Sequence, residues 1–262
     1  MAHQTENVIE LTDVTTAFGR VVIHEGLDLT VKRGETLALV GASGSGKTTL
    51  LRVMIMLMRP VAGSVLILGE NALSLSDAEA NRLRRNIGVM FQQGALFSGL
   101  TVAENVEMPM KEHTGLPARI RKQLALLKIT LAGLPAETGS KYPRELSGGM
   151  LKRAAVARAL ALDPALLFLD EPSAGLDPVS ANALDELIIH LRESLGLTIV
   201  IVTHDLDTLW RVTDRVAFLG EKRLLAVDRM QALSQHPHPM IFAYFSGPRG
   251  RAAALEQQWT QK

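Results

Sequence analysis

The chain has 262 residues, 47% of them hydrophobic and 21% charged, with a formal net charge of +1 and no cysteine. That length buries a substantial core in one or two domains, while the near-neutral balance argues against a dedicated nucleic-acid binder with its basic face. The missing cysteines exclude disulfide and thiol chemistry.

The N-terminal MAHQTENVIELTDV lacks the basic start and apolar run of a secretory signal, which predicts a cytoplasmic chain. Next, VIELTDV, VVIHEGLDLTV and SVLILG have strand character with turns and no helix between them, as in an antiparallel β subdomain. The runs TLALVGA (Thr36 to Ala42), IGVMF (Ile87 to Phe91), ALLFLD (Ala165 to Asp170), TIVIVT (Thr198 to Thr203) and RVAFLG (Arg215 to Gly220) alternate with helical patterns. They predict an α/β fold whose largely parallel sheet is covered on both faces. From about residue 93 to 160 the chain turns helical, with TVAENVEMPMKEH and PARIRKQLALLKI separated by TGLP, so a helical subdomain is expected to be inserted in a single domain spanning 1–234. No apolar stretch approaches the roughly 18 residues of a membrane span. The nearest, VMIMLM at Val53 to Met58, continues the helical pattern TTLLRVMIMLM, and its methionines read as core filler.

The strongest chemical signal is GASGSGKTT at Gly41 to Thr49, a G-x-x-x-x-G-K-[ST] match placed directly after a strand and before a helix. Gly41, Gly44 and Gly46 let backbone amides curl around a phosphate, Ser43 and Thr49 lie in the same cradle, Lys47 reaches the β and γ phosphates, and the Thr48 hydroxyl can ligate Mg²⁺. In ALLFLDEP, four buried apolar residues deliver two carboxylates to the C-terminal end of a strand. Asp170 suits the magnesium, which leaves Glu171 to take a proton from the attacking water. His204 in VTHD follows a buried strand and, if that strand neighbours the one ending at Asp170, can meet the γ phosphate or orient Glu171; taken singly it is an ordinary polar residue. In LSGGM, Ser147 sits where an N-cap would, and Gly148 and Gly149 expose the first free amides of a helix running to about Leu162, making a second anion site.

GASGSGKT, LSGGM, LLFLDEP, SAGLDP and VTHD, in that order and spacing, resemble the ATP-binding subunits of ABC transporters over nearly the whole chain to about Leu233. The resemblance implies a homodimer in which the serine-glycine segment of one subunit closes over ATP held by the phosphate loop of the other. It further implies that Phe18 stacks on adenine, that Gln92 senses magnesium and water, with Gln93 as a rival, and that Asp177 lies across the dimer seam. Met150 departs from the glutamine most of these ATPases carry.

LSGGM and the stretch Phe91 to Pro117 are similar to the ATPases serving MCE-domain lipid transporters, such as the system that maintains outer-membrane lipid asymmetry. That resemblance implies a subunit peripheral to the cytoplasmic side of the inner membrane, a permease and an MCE-domain protein as partners, phospholipid handled by the complex, and no nucleic acid. The alternatives are the ATPase of a small-solute importer or a soluble non-transport ABC ATPase. Leu96, Phe97, Leu100 and Val102 are expected to form an apolar groove for a permease helix, unless they are the subdomain's own core. The tail 235–262 holds the apolar MIFAYF (Met240 to Phe245), which is expected to dock on the partner subunit or to fold back on its own.

Overall fold

The computed structural model describes residues 6–246. In chain order, β1 (Asn7–Phe18) and β2 (Val21–Lys32) form a hairpin, β3 (Thr36–Gly41) leads into α1 (Lys47–Met54), and β4 (Ala62–Ile67) and β5 (Glu70–Asn71) follow. Then come α2 (Asp77–Arg84), β6 (Ile87–Met90), α3 (Val102–His113), α4 (Ala118–Leu131), α5 (Gly148–Ala159), β7 (Leu166–Asp170) and α6 (Pro178–Leu195). The last described elements are β8 (Thr198–Val202), α7 (Leu206–Val212), β9 (Arg215–Gly220), β10 (Arg223–Asp228), α8 (Met230–Leu233) and α9 (Pro239–Phe245). This is the expected α/β P-loop fold, with an antiparallel N-terminal sheet and a mostly parallel one. Two compact units divide inside β8: Met1–Asn81 with Val200–Lys262, and Arg82–Ile199.

The first unit contains the antiparallel sheet, in the order β2-β1-β4-β5, and the strands β10-β9-β3-β8. All six residues of β3 are buried, and β3 runs parallel to β9 with Leu37 opposite Arg215 and Gly41 opposite Leu219. Strands buried on both faces read as unbroken apolar runs, which is why β3 and β9 are visible in the sequence. The hairpin is less regular. Thr16 pairs with His24 but Val14 pairs with Leu27, so β2 carries one extra residue there, and Gly26 takes a φ of 59° at that point. This bulge turns both His24 and Leu27 inward, and both are buried.

One expectation changes in this unit. The helix α1 stops at Met54 rather than Met58, because Met56 adopts a left-handed φ of 60°; Met54 is core, whereas Met56 and Met58 are half-buried. The MIFAYF stretch also folds back on its own chain as α9. Ile241 and Phe245 are buried, and the Tyr244 ring meets Phe218 edge-on at 5.3 Å. This is the fold-back alternative, with Phe242 of the same stretch left 56% exposed, while residues 247–262 of the expected tail lie outside the described residues.

The second unit contains β8-β7-β6, with β6 parallel to β7 from Ile87 opposite Leu166 to Met90 opposite Leu169. Its helical part packs α3, α4 and α5 around Val106, Met110, Ala125, Ile129 and Val156, all fully buried. Thr101 and Glu104 start α3 with a reciprocal capping box, which satisfies two of the helix's free donors. Val102 belongs to this core rather than to an outer groove; Leu96 and Leu100 are half-buried, and Phe97 faces out. Among the described residues no helix is long and apolar enough to cross a membrane.

Candidate functional site

In the first unit, the glycine-rich segment joins the buried end of β3 to the start of α1. Gly41 has a φ of 149°, and a Cβ there would strike the Leu219 carbonyl and lie 2.7 Å from Ser45 Oγ. Gly46, at a φ of 92°, is pressed against β2: a Cβ would collide with His24, reaching Cε1 at 2.7 Å, and with Ile23 Cγ2 at 2.7 Å. The loop is thus formed by backbone that tolerates no side chain. Gly46 also stands at the N-cap of α1 and supplies no side-chain acceptor, and no acidic residue occupies the first turn. The dipole at this end of α1 favours negative charge.

Lys47 reaches back over the loop, its Nζ donating to the Gly41 carbonyl at 2.8 Å and the Ala42 carbonyl at 3.1 Å. Thr48 and Ser43 are exposed and Thr49 is buried. Behind the loop, the fully buried His24 shares a 2.8 Å hydrogen bond between Nδ1 and the Thr16 hydroxyl. Its Nε2 faces the Ser45 and Gly46 backbone without a well-formed hydrogen bond. Burial pushes this imidazole below the ordinary histidine range, with the Ser45 backbone acting in the opposite sense. Phe18, next to the turn that joins β1 to β2, is 51% exposed, so it is not a core residue of the β subdomain. His204 is exposed directly beyond β8 and Thr203.

In the second unit, β7 buries Leu166 to Leu169 and delivers a half-buried Asp170 to its end. Glu171 follows at a φ of 49°, a left-handed conformation that a non-glycine residue holds only where its surroundings impose it. Gln92 and Gln93 lie exposed in the turn after β6. Ser147 caps α5, accepting from the Met150 amide at 3.3 Å. A Cβ at Gly148 or Gly149 would meet its nearest neighbours, Leu176 Cδ2 and Ser180 Cβ, at an ordinary 3.5 Å. Among the described residues nothing that a Cβ would meet demands glycine at either position. Asp177 caps α6, accepting from the Ser180 amide at 3.0 Å and hydroxyl at 2.6 Å, and these bonds, the hydroxyl first, lower its carboxyl below the usual range.

The structure brings in three residues that sequence reasoning passed over. His24 is one. Lys152, on α5, extends inward and donates from Nζ to the Gln92 carbonyl at 2.7 Å and the Glu171 carbonyl at 3.1 Å. Asn105, buried on α3, braces the loop after Gln92: its Oδ1 accepts from the Phe97 amide at 2.7 Å, and its Nδ2 donates to the carbonyls of Phe97, Leu100 and Thr101. The Phe97 ring is held outward beneath the Arg158 guanidinium, 5.6 Å from the ring centre. The spacing of Asn105 after the Thr101 cap, on the inward side of α3, was the signal that could have identified it.

The first unit carries a glycine loop at a helix N-terminus, and the second carries a strand-end carboxylate pair and a serine-glycine helix start. The ABC transporter family model matches residues 24–174. The intermembrane phospholipid transport system ATP-binding protein MlaF of Escherichia coli K12 is 38% identical over 94% of this chain and 91% of its own length. The methionine import ATP-binding protein MetN of Rhizobium johnstonii is 40% identical over 92% of this chain and 66% of its own. Among solved structures, the dimeric ATP-binding cassette MJ0796, in a post-hydrolysis state bound to ADP and Pi, superposes with a TM-score of 0.77 at 32% identity, covering 85% of this chain and 98% of that one. The chain belongs to the ABC transporter family, as an ATP-binding subunit that hydrolyses ATP.

Proposed function

We propose that this chain drives a transporter that moves phospholipid between the inner and outer membranes, as a head-to-tail homodimer on the cytoplasmic side of the inner membrane, beneath a permease and an MCE-domain protein. One observation carries the cargo. The match to MlaF runs end to end, over 94% of this chain and 91% of that one, whereas a third of MetN has no counterpart here.

In this reading Lys47 neutralises the β and γ phosphates, Gly41, Ser43, Gly44, Gly46 and Thr49 form their cradle, and Phe18 stacks on adenine. Thr48, Asp170 and Gln92 hold Mg²⁺. All three offer hard oxygen donors, which suits that ion. No group of three or more His, Cys, Asp or Glu side chains among the described residues could cage a metal. That fits an ion which arrives with phosphate and water as its other ligands, and which neutralises charge on the phosphates when bound. Glu171 accepts the proton of the attacking water, and His204 orients it or meets the γ phosphate. Ser147, Gly148, Gly149 and Asp177 close over nucleotide held by the other subunit, which accounts for glycines that the chain's own packing does not require.

The test is to purify the chain with its permease and extract the complex. Phospholipid should copurify, ATP hydrolysis should depend on the permease, and Lys47→Ala should abolish ATP binding by calorimetry. A complex free of phospholipid and stimulated by a periplasmic solute-binding protein would favour the second reading, a methionine-type importer, which rests on the 40% identity to MetN.

A further inference from the structure

Lys152 stands in the second turn of α5, five residues beyond Ser147, yet it is only 8% exposed. Lysine on a helix ordinarily carries its charge to water. Here the ammonium instead spends two of its three donors on backbone carbonyls, those of Gln92 and Glu171. These two carbonyls belong to residues assigned to the water and magnesium of hydrolysis. They lie 79 positions apart in the chain (171 − 92), on segments with no local reason to move together. Glu171 moreover holds a left-handed φ of 49°, a conformation that persists only when other contacts determine it. Burial lowers the Lys152 ammonium from its ordinary range, with the Glu171 and Asp170 carboxylates acting to retain its charge.

We propose that Lys152 is a positioning residue for hydrolysis: it fastens the Gln92 turn and the Glu171 backbone to the helix that begins at Ser147, so that the orientations of Gln92 and Glu171 are set together. The inference rests on the reading of Glu171 as the base. An apolar side chain of the same length would leave both carbonyls without this donor and release the Glu171 backbone from its imposed conformation. Chemistry should then slow while nucleotide binding, which depends on the separate glycine cradle, should persist.

The experiment compares Lys152→Met, Lys152→Arg and Glu171→Gln, and the double variant of Lys152→Met with Glu171→Gln, in the chain purified in complex with its permease. Single-turnover phosphate release gives the rate, steady state gives KM, and thermal melting checks the fold. Lys152→Met should lower kcat roughly 10- to 100-fold with KM within about threefold, and Lys152→Arg, which keeps a charged donor, should recover most of that loss. In the Glu171→Gln background the same Met substitution should cost less than about threefold, because both changes act on one group. If Lys152→Met melts below assay temperature, Lys152→Gln, which retains a neutral donor, replaces it with the same expected split between kcat and KM. A kcat within threefold of the parent, or an equal loss in both backgrounds, overturns the proposal. Near-normal turnover by Glu171→Gln alone would instead remove the assignment of the base beneath it.

Discussion

Gly46 and His24 are packed so closely that a single methyl on the glycine would overlap the imidazole, with Cε1 left 2.7 Å away. The glycine loop therefore takes its curvature beside a buried strand residue 22 positions earlier in the chain (46 − 24). Gly46→Ala adds both this overlap and the strain of a φ of 92°, and should destabilise the chain by about 1–3 kcal/mol while abolishing ATP binding. His24→Ala in the same chain should restore part of the melting temperature but not the affinity. An unchanged melt for the single variant would contradict the packing.

His24 also gives the chain a pH signature. Its folded-state value lies below the ordinary histidine value of 6.5, so the unfolded chain binds more protons as the solution acidifies. Stability contributed by the neutral imidazole is present above about pH 6.5 and is lost as pH falls from there toward the folded-state value. Melting temperatures from pH 7.5 to 5 should fall more steeply for the parent than for His24→Leu. Parallel curves would rule out a buried neutral His24.

Glu171→Gln keeps the side chain's size and the Lys152 contact to its carbonyl, but removes the proposed proton acceptor. Turnover should drop roughly 10²- to 10⁴-fold with ATP still bound. Radiolabelled phosphate release and equilibrium nucleotide binding measure the two halves of this statement. Hydrolysis within a few-fold of the parent would transfer the role of base elsewhere.

Phe97 is 50% exposed while the loop that carries it is clamped by Asn105. Phe97→Asp should accordingly leave the melt within about 0.5 kcal/mol and ATP affinity unchanged, because an exposed side chain carries little of the fold. It should uncouple hydrolysis from the permease, since a charge would then be buried in an apolar contact. Asn105→Ala should instead lower the melt, as four hydrogen bonds to the loop backbone depend on that side chain. Full permease-stimulated activity in Phe97→Asp would exclude this ring from the contact.

The backbone of the glycine loop and the strand-end position of the carboxylate pair were legible because each is local: a buried strand, a forced backbone and a polar end occur within ten residues. Phe18, Gln92 and Asp177 were singled out only through family resemblance, since a lone aromatic, glutamine or aspartate has no period or spacing of its own. His24 was hidden by the bulge at Gly26, which shifts the alternation of β2 so that the strand pattern no longer tells which side of the sheet a residue faces. Lys152 was hidden for a different reason. In LKRAAVARAL it reads as one of several basic residues on a helix surface, and its burial depends on carbonyls supplied from distant segments. The end of α1 at Met54 was misread because a left-handed Met56 carries none of the glycine or asparagine that usually announces such a stop.

The roominess around Gly148 and Gly149 has a consequence for the cell. A chain with alanine at either position meets only 3.5 Å contacts inside itself, so it should fold, melt and resist proteolysis like the parent. Degradation machinery, which recognises unfolded segments, would have nothing to remove. In the proposed head-to-tail pair each such chain would still offer a sound phosphate cradle and assemble with unmodified copies, spoiling one of the two nucleotide sites in every mixed pair. Coexpressed with the parent at equal levels, the variant should leave only about a quarter of random pairs with both sites intact, a dominant loss of transport with no loss of protein.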